Sequence, residues 1–333
     1  MNYLIDKNEK IFIAGASGMA GRAIYNSLVK KGYGKSINKG KLLIPTHREL
    51  DLLSLESIKK WFSINKPSIV IIAAAKVGGI LANKRLPAEF ILENLKIQTN
   101  LIETSFKFEV KRLLFLGSSC IYPKFASQPI KEDYLLTGAL ESTNEYYAIA
   151  KIAGIKLCEA LRKEYKFDAI SLMPTNLYGP GDNYDLENSH VMAALIRKFV
   201  SAKKNSDKSV TCWGTGNPMR EFMYVDDLGD AVVHALEFWD PENEYAPLDD
   251  NGKPLLYLNV GTGYDISIKD LSNKIANICQ YKGTIKWDRS KPDGTPKKKL
   301  DIRKFKQLGW TPKINLETGI KKTILSFKLD HKP

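Results

Sequence analysis

Residues 10–21, KIFIAGASGMAG, run a short apolar strand straight into a glycine-rich turn. Gly15, Gly18 and Gly21 set a GxxGxxG spacing where that strand stops and a helix-like segment, residues 21–31, opens. In this setting glycines let backbone N–H groups approach a pyrophosphate at a helix N-terminus, so the turn predicts a dinucleotide site. A tight turn with no ligand is the plainer alternative. Outward from it, strand and helix patterns alternate. Residues 42–44 (LLI) read as a strand, 55–62 as a helix, and 68–75 (SIVIIAAA) as a strand apolar enough to be buried on both faces. Residues 87–108 carry apolar side chains at helical spacing behind Pro87, which is harmless in a first helical turn. Then come a strand at 112–117 (RLLFLG), a long helix at 145–165 and a strand at 169–174 (AISLMP). Strands alternating with helices predict an α/β protein with a Rossmann-type, doubly wound parallel sheet.

Beyond residue 174 the texture changes to loops rich in Gly, Pro and Asn, such as TNLYGPGDN and WGTGNPMREF, with helices between them. Residues 225–238 read as a helix, 255–261 (LLYLNVG) as a strand able to return to the main sheet, and 268–279 as a helix, with a final helix after LGWTPK. The expected organisation is interleaved: residues 1–174 and 222–261 form the nucleotide-binding domain, and 175–221 and 262–333 form a smaller α/β lobe. The cleft between them would hold the chemistry.

Composition narrows the classes. With 333 residues, 44% hydrophobic and 26% charged, the chain fits about two globular domains and neither a disordered nor a fibrous protein. Cys120, Cys158, Cys212 and Cys279 lie far apart and form no CxxC pair, which predicts reduced thiols and no metal site. Charged residues interrupt the N-terminal segment, and the longest apolar run is too short to span a membrane, so the expectation is a cytoplasmic protein. The formal charge of +13 raises the question of a polyanionic partner. The lysines are scattered and not interleaved with aromatics, so a solvated Lys-rich surface is expected, and no nucleic acid.

Two constellations carry chemistry. The end of the second predicted strand, IPTHREL, has no acid at its tip but has Arg48 close by, and a planar guanidinium suits a ribose phosphate. NADP is therefore expected over NAD, with a surface turn arginine as the alternative. The second constellation is Ser118, after the fourth strand, with Tyr147 and Lys151. Four-residue spacing puts Tyr147 and Lys151 on one helix face, where an ammonium would stabilise a phenolate and lower the Tyr pKa. Such a Tyr can pass a proton to a carbonyl oxygen.

GxxGxxG, GSSCIYP, YAIAK and PTNLYGP together resemble the extended short-chain dehydrogenase/reductase family, which binds nicotinamide cofactors and acts on nucleotide sugars. Further segments, including AAAKVGGI, NSHV, PMREF and SKPDGTP, narrow the resemblance to members that epimerise GDP-4-keto-6-deoxy-D-mannose at C3 and C5 and reduce it at C4 with NADPH. The resemblance implies a cofactor site built from Gly15, Ala16, Ser17, Gly18, Met19, Ala20 and Gly21, with Arg48, Leu116, Gly117, Ser118, Tyr147, Lys151, Pro174, Asn176, Leu177 and His190. Ser17 departs from relatives that carry a basic residue there, which weakens the ribose-phosphate reading. Cys120 is implied as the epimerisation base and His190 as its acid; a small buried thiol and a capping or core histidine are the plainer alternatives. His47, His234 and His331 are left to structure or surface. For the GDP-linked sugar the implied contacts are Lys198, Trp213, Arg220, Asp293 and Lys298, with Arg220 and Lys298 meeting the diphosphate. Asn176 would donate to a sugar hydroxyl or the cofactor amide. Residues 76–79, KVGG, would floor the nicotinamide or substrate. A homodimer through the 87–108 and 145–165 helices is implied as well. A sibling enzyme acting on another GDP-linked keto sugar, such as a heptose, and a nucleotide-binding protein without turnover are the competing readings.

Overall fold

A computed structural model describes residues 3–35, 39–185 and 189–330. Its elements are β1 (Lys10–Ala14), α1 (Met19–Lys30), β2 (Lys41–Leu43), α2 (Leu55–Asn65), β3 (Ile69–Ile72), α3 (Ile80–Arg85), α4 (Pro87–Lys107) and β4 (Arg112–Leu116). There follow α5 (Glu145–Tyr165), β5 (Ala169–Pro174), β6 (Asn176–Tyr178), α6 (Val191–Asn205), β7 (Ser209–Trp213), β8 (Met219–Tyr224) and α7 (Val225–Phe238). The remainder is β9 (Tyr257–Val260), β10 (Asp265–Ser267), α8 (Ile268–Cys279), β11 (Thr284–Asp288), β12 (Lys297–Lys298), α9 (Arg303–Gln307) and α10 (Leu316–Asp330).

The main sheet is six-stranded and parallel, in the order β2-β1-β3-β4-β5-β9. The strand order reverses between β1 and β3, and a crevice opens at the carboxyl ends of strands at such a reversal. Both faces are covered because alternate residues of each strand point to opposite sides. Ile11 and Ile13 pack toward Ile24, Leu28, Leu228 and Val232 of α1 and α7. Phe12 and Ala14 face a second core with Ile58 and Phe62 of α2, Leu101 of α4 and Ile155 of α5. Strand β2 lies one residue earlier than the pattern predicted, since Lys41 pairs with Lys10 and Ile44 is exposed.

The smaller lobe has its own core of α6, α8, α10 and β7, with Phe199, Ile275 and Ile320 fully buried. Its strands β10, β8 and β12 form a sheet that β6 joins, and β11 pairs with β7. Residues 300–310 differ from the expected assignment of all of 262–333 to this lobe. Phe305 and Trp310 enter the first core of the main sheet, and Leu300 and Ile302 the second, because α9 returns to pack on β9.

Glu221 of β8 ties the two parts together. Its fully buried carboxylate accepts from the backbone N–H groups of Thr262, Gly263 (2.8 Å) and Leu300 (2.7 Å), and its carbonyl accepts from the Thr175 hydroxyl (3.2 Å). Among the described residues no helix is long and apolar enough to cross a membrane.

Candidate active site

At the tip of β1, Gly15 adopts φ +86°, and a Cβ there would lie 2.7 Å from the Ala74 backbone nitrogen. A side chain at Gly21 would collide with the Gly15 carbonyl, so helix α1 can approach the strand only through glycine. Gly18 caps α1 with no side-chain hydrogen bond, and no acid lies in the first turn. The leading N–H groups of α1 are thus left for an anion, beside exposed Ser17 and half-buried Ala16, Met19 and Ala20. The glycine cradle fits a dinucleotide pyrophosphate. Because β2 pairs with β1, the exposed turn carrying Arg48 lies at the same sheet edge. Its neighbour Glu49 bonds back to the Thr46 backbone N–H (2.7 Å) and hydroxyl (2.9 Å), which holds that carboxyl below its usual range.

One strand further, Gly117 follows β4 and Ser118 caps a short 3-10 turn, its hydroxyl accepting from the Cys120 N–H at 3.2 Å. The α5 helix brings Tyr147 and Lys151 to this turn, as their spacing predicted. Lys151 is buried, donates to the Leu116 carbonyl at 2.8 Å and lies 4.7 Å from the Phe115 ring centroid. Burial pushes its ammonium down to about 7.

The expected lowering of the Tyr147 pKa is not what this geometry produces. Burial and the nearby Cys120 push the phenol up, against a lowering hydrogen bond with Ser118. The Lys151 nitrogen lies 5.9 Å from the Tyr147 ring centroid with one of its protons on a carbonyl, too distant to offset desolvation. Tyr147 therefore stays protonated at neutral pH, the form a proton donor needs.

The Cys120 sulfur accepts from the Asn144 amide at 3.2 Å and from the Lys298 ammonium at 3.5 Å. Burial alone would raise this thiol. The Lys298 charge, hydrogen bonds from Ser118 and Lys298, and the Arg220 charge outweigh it, and the pKa falls below the usual value. Lys298 pairs with Arg220 across β12 and β8. Its ammonium is thus on the sulfur, where the diphosphate had been expected. Arg220 donates to the Met219 carbonyl (2.9 Å) and the Asp293 carbonyl (3.2 Å). The Asp293 carboxylate is fixed by the Thr215 N–H (2.8 Å) and hydroxyl (2.7 Å). His190 stands at the N-cap position of α6; burial, then the Lys298 charge, depress its imidazole pKa.

At the end of β7 the Trp213 indole is 43% exposed, with the Lys198 and Lys291 ammoniums 5.3 and 5.4 Å from its ring centroid. Lys198 also donates to the Thr211 carbonyl at 2.7 Å. An exposed indole flanked by cations suits an aromatic base carrying phosphates.

Two expectations change, and His234 keeps the structural role expected of it. Lys76 pairs with Glu89 and Glu93 of α4, so its charge is committed to those carboxylates. Asn176 donates to the Glu221 carbonyl at 2.7 Å, which commits part of its amide to the β6–β8 junction; Pro174 and Leu177 lie on either side of it at the crossing between lobes. His234 contacts the Leu308 carbonyl at 2.7 Å and packs on Phe238, a structural role. Asn188 of the NSHV segment and His331 lie outside the described residues. Sequence reasoning missed Asn144 and Thr215. Asn144 could have been found as the residue that starts the helix bearing Tyr147. Among the described residues no group of three or more His, Cys, Asp or Glu could hold a metal ion.

Residues 11–246 match the NAD dependent epimerase/dehydratase family. The chain belongs to that family. Within it, this epimerase/dehydratase-family protein is 50% identical to "GDP-L-fucose synthase 1" of Arabidopsis thaliana over 318 residues, covering 96% of this chain and 93% of the relative. Among solved structures it resembles a GDP-6-OMe-4-keto-L-xylo-heptose reductase from C. jejuni, with TM-score 0.88 and 36% identity over 98% of this chain and 99% of that one. It also resembles a GDP-L-fucose synthetase from Naegleria fowleri bound to NADP, with TM-score 0.84 and 26% identity over 98% and 96% of the two chains.

Proposed function

We propose that this protein converts GDP-4-keto-6-deoxy-D-mannose to GDP-L-fucose by epimerisation at C3 and C5 and NADPH-dependent reduction at C4. One observation carries this reading: the Cys120 sulfur, ringed by hydrogen-bond donors, stands close enough to Tyr147 to shift its phenol. A simple ketone reductase has no use for a second ionisable group there. A C4 carbonyl acidifies the hydrogens on both adjacent carbons, so a centre that stabilises its oxyanion serves both stages. Ser118 and Tyr147 would donate to that oxygen, Cys120 would take the proton from C3 or C5 and release it to solvent, and His190, as the imidazolium, would deliver a solvent-derived proton on the opposite face. Tyr147, as the protonated phenol, is the acid for the reduction.

A nicotinamide cofactor, when bound, supplies the hydride. The glycine loop would hold its pyrophosphate, Lys151 its nicotinamide ribose, and Arg48 the phosphate that makes it NADP. Arg220, Asp293, Trp213 and Lys198 would take the GDP portion. We place the assembly as a homodimer through α4 and α5, and the chemistry in the cytoplasm. The heptose reductase likeness supports a second reading, reduction of a GDP-keto-heptose; the higher identity to GDP-L-fucose synthase, together with both Cys120 and His190, favours the first.

The experiment is to incubate protein, GDP-4-keto-6-deoxy-mannose and NADPH in deuterated water and to locate the label. Wild type should place deuterium at C3 and C5 of a fucosyl product, and Cys120→Ser should place none. Exchange at both carbons by the variant at the wild-type rate removes Cys120 from the mechanism.

A further inference from the structure

We propose that Lys298 is a positioning residue whose ammonium holds the Cys120 sulfur as a thiolate before any substrate arrives. The inference rests on the epimerase reading of the site, since it says how the base of that reaction is made ready. Two donors converge on the sulfur, the Lys298 ammonium at 3.5 Å and the Asn144 amide at 3.2 Å. An ammonium has no acceptor to offer a thiol proton in any orientation. Two donors and no acceptor at these contacts favour the anionic sulfur over the thiol.

The surroundings agree. Facing Cys120 are Lys298 from β12, Arg220 from β8, Tyr147 from α5 and Ser118 from its own turn, all cationic or neutral. The nearby carboxylate, Glu141, is spent on Lys124 at 3.0 Å and on Thr295 at 3.4 Å. Burial pushes the thiol up, yet the balance of charges brings it below its usual value. Cys158, Cys212 and Cys279 are buried as well, and there burial outweighs the lowering charges of Arg162, of Lys198, and of Lys328 and Lys203, so their thiols are pushed up. Lys298 thus does for the base what a neighbouring cation does for other reactive cysteines.

Alkylation with iodoacetamide, read by mass spectrometry on the peptide containing Cys120, tests this without any sugar present. In wild type Cys120 should react alone among the four cysteines, with a pH midpoint below that of a free thiol. Lys298→Met should raise that midpoint and slow the reaction at neutral pH by roughly tenfold, the effect of one pKa unit, and Lys298→Arg should restore most of the rate. The pH profile of solvent deuterium exchange in Lys298→Met should move upward by the same amount. Should Lys298→Met not fold, thiolate ultraviolet absorbance of wild type minus Cys120→Ser gives the midpoint directly. An unshifted alkylation midpoint in Lys298→Met, or a wild-type thiolate that titrates no lower than a free thiol, overturns the proposal. A shifted midpoint in a protein that exchanges no deuterium supports the ion pair and sinks the epimerase reading alone.

Discussion

Lys151 is buried with the Leu116 carbonyl as its hydrogen-bond partner, so its ammonium has donors in hand for a further partner in the cleft. Tyr147, protonated and beside Ser118, is the donor that a developing C4 oxyanion would meet. Tyr147→Phe should therefore cut NADPH oxidation by roughly a hundred- to ten-thousand-fold, the usual span for a lost general acid, while deuterium exchange by Cys120 falls less. Single-turnover measurements of both readouts check it; equal losses would mean that the epimerisations depend on Tyr147 as fully as the reduction does. Arg48→Ala should lower kcat/KM for NADPH by roughly ten- to a hundred-fold, the loss of a charged hydrogen bond, and leave NADH unchanged. Near-equal efficiency with both cofactors, retained in the variant, counts against the ribose-phosphate role. At this scale the sequence disclosed pairs joined by local geometry, such as Tyr147 and Lys151 at helical spacing. It did not disclose that Lys298 reaches Cys120, because only a parallel pairing of β12 with β8 brings them together.

Helices α4 and α5 pack on each other over the same face of the sheet. Leu92 of α4 and Tyr146 and Ile149 of α5 nevertheless remain outward, 53%, 45% and 39% exposed. A second copy would cover such side chains, and light scattering should give a mass near twice the 37.5 kDa of one chain. A monomer mass would end the dimer proposal. Most elements of the main domain were legible, and the bounds of α5, β5, α7 and α8 coincide with the expected ones. These segments have either continuous apolar runs or a full helical period, which their burial requires. The strands β6, β10 and β12 are two or three residues long, too short to show any period. Their pairing on β8, and not their composition, makes them strands.

Across the whole molecule, Glu221 joins loops from both lobes through one carboxylate, and burial raises its pKa despite three backbone donors. Glu221→Gln would turn an amide N–H toward at least one of those donors. It should lower stability by about 1–3 kcal/mol in urea unfolding, the cost of an unsatisfied buried group. Arg220 and Lys298 belong to the strands this carboxylate anchors, so the loss should extend to substrate affinity; an unchanged unfolding midpoint would remove Glu221 as the link. The lobe boundary at 300–310 was hidden for a related reason, because apolar residues announce burial but not which core receives them. There is also a consequence for the chain as it is made. Cys120 emerges early and Lys298 near the end, so a half-finished polypeptide on the ribosome carries this thiol without its ammonium partner. On the proposed pairing, the sulfur gains its cation only when β12 docks beside β8.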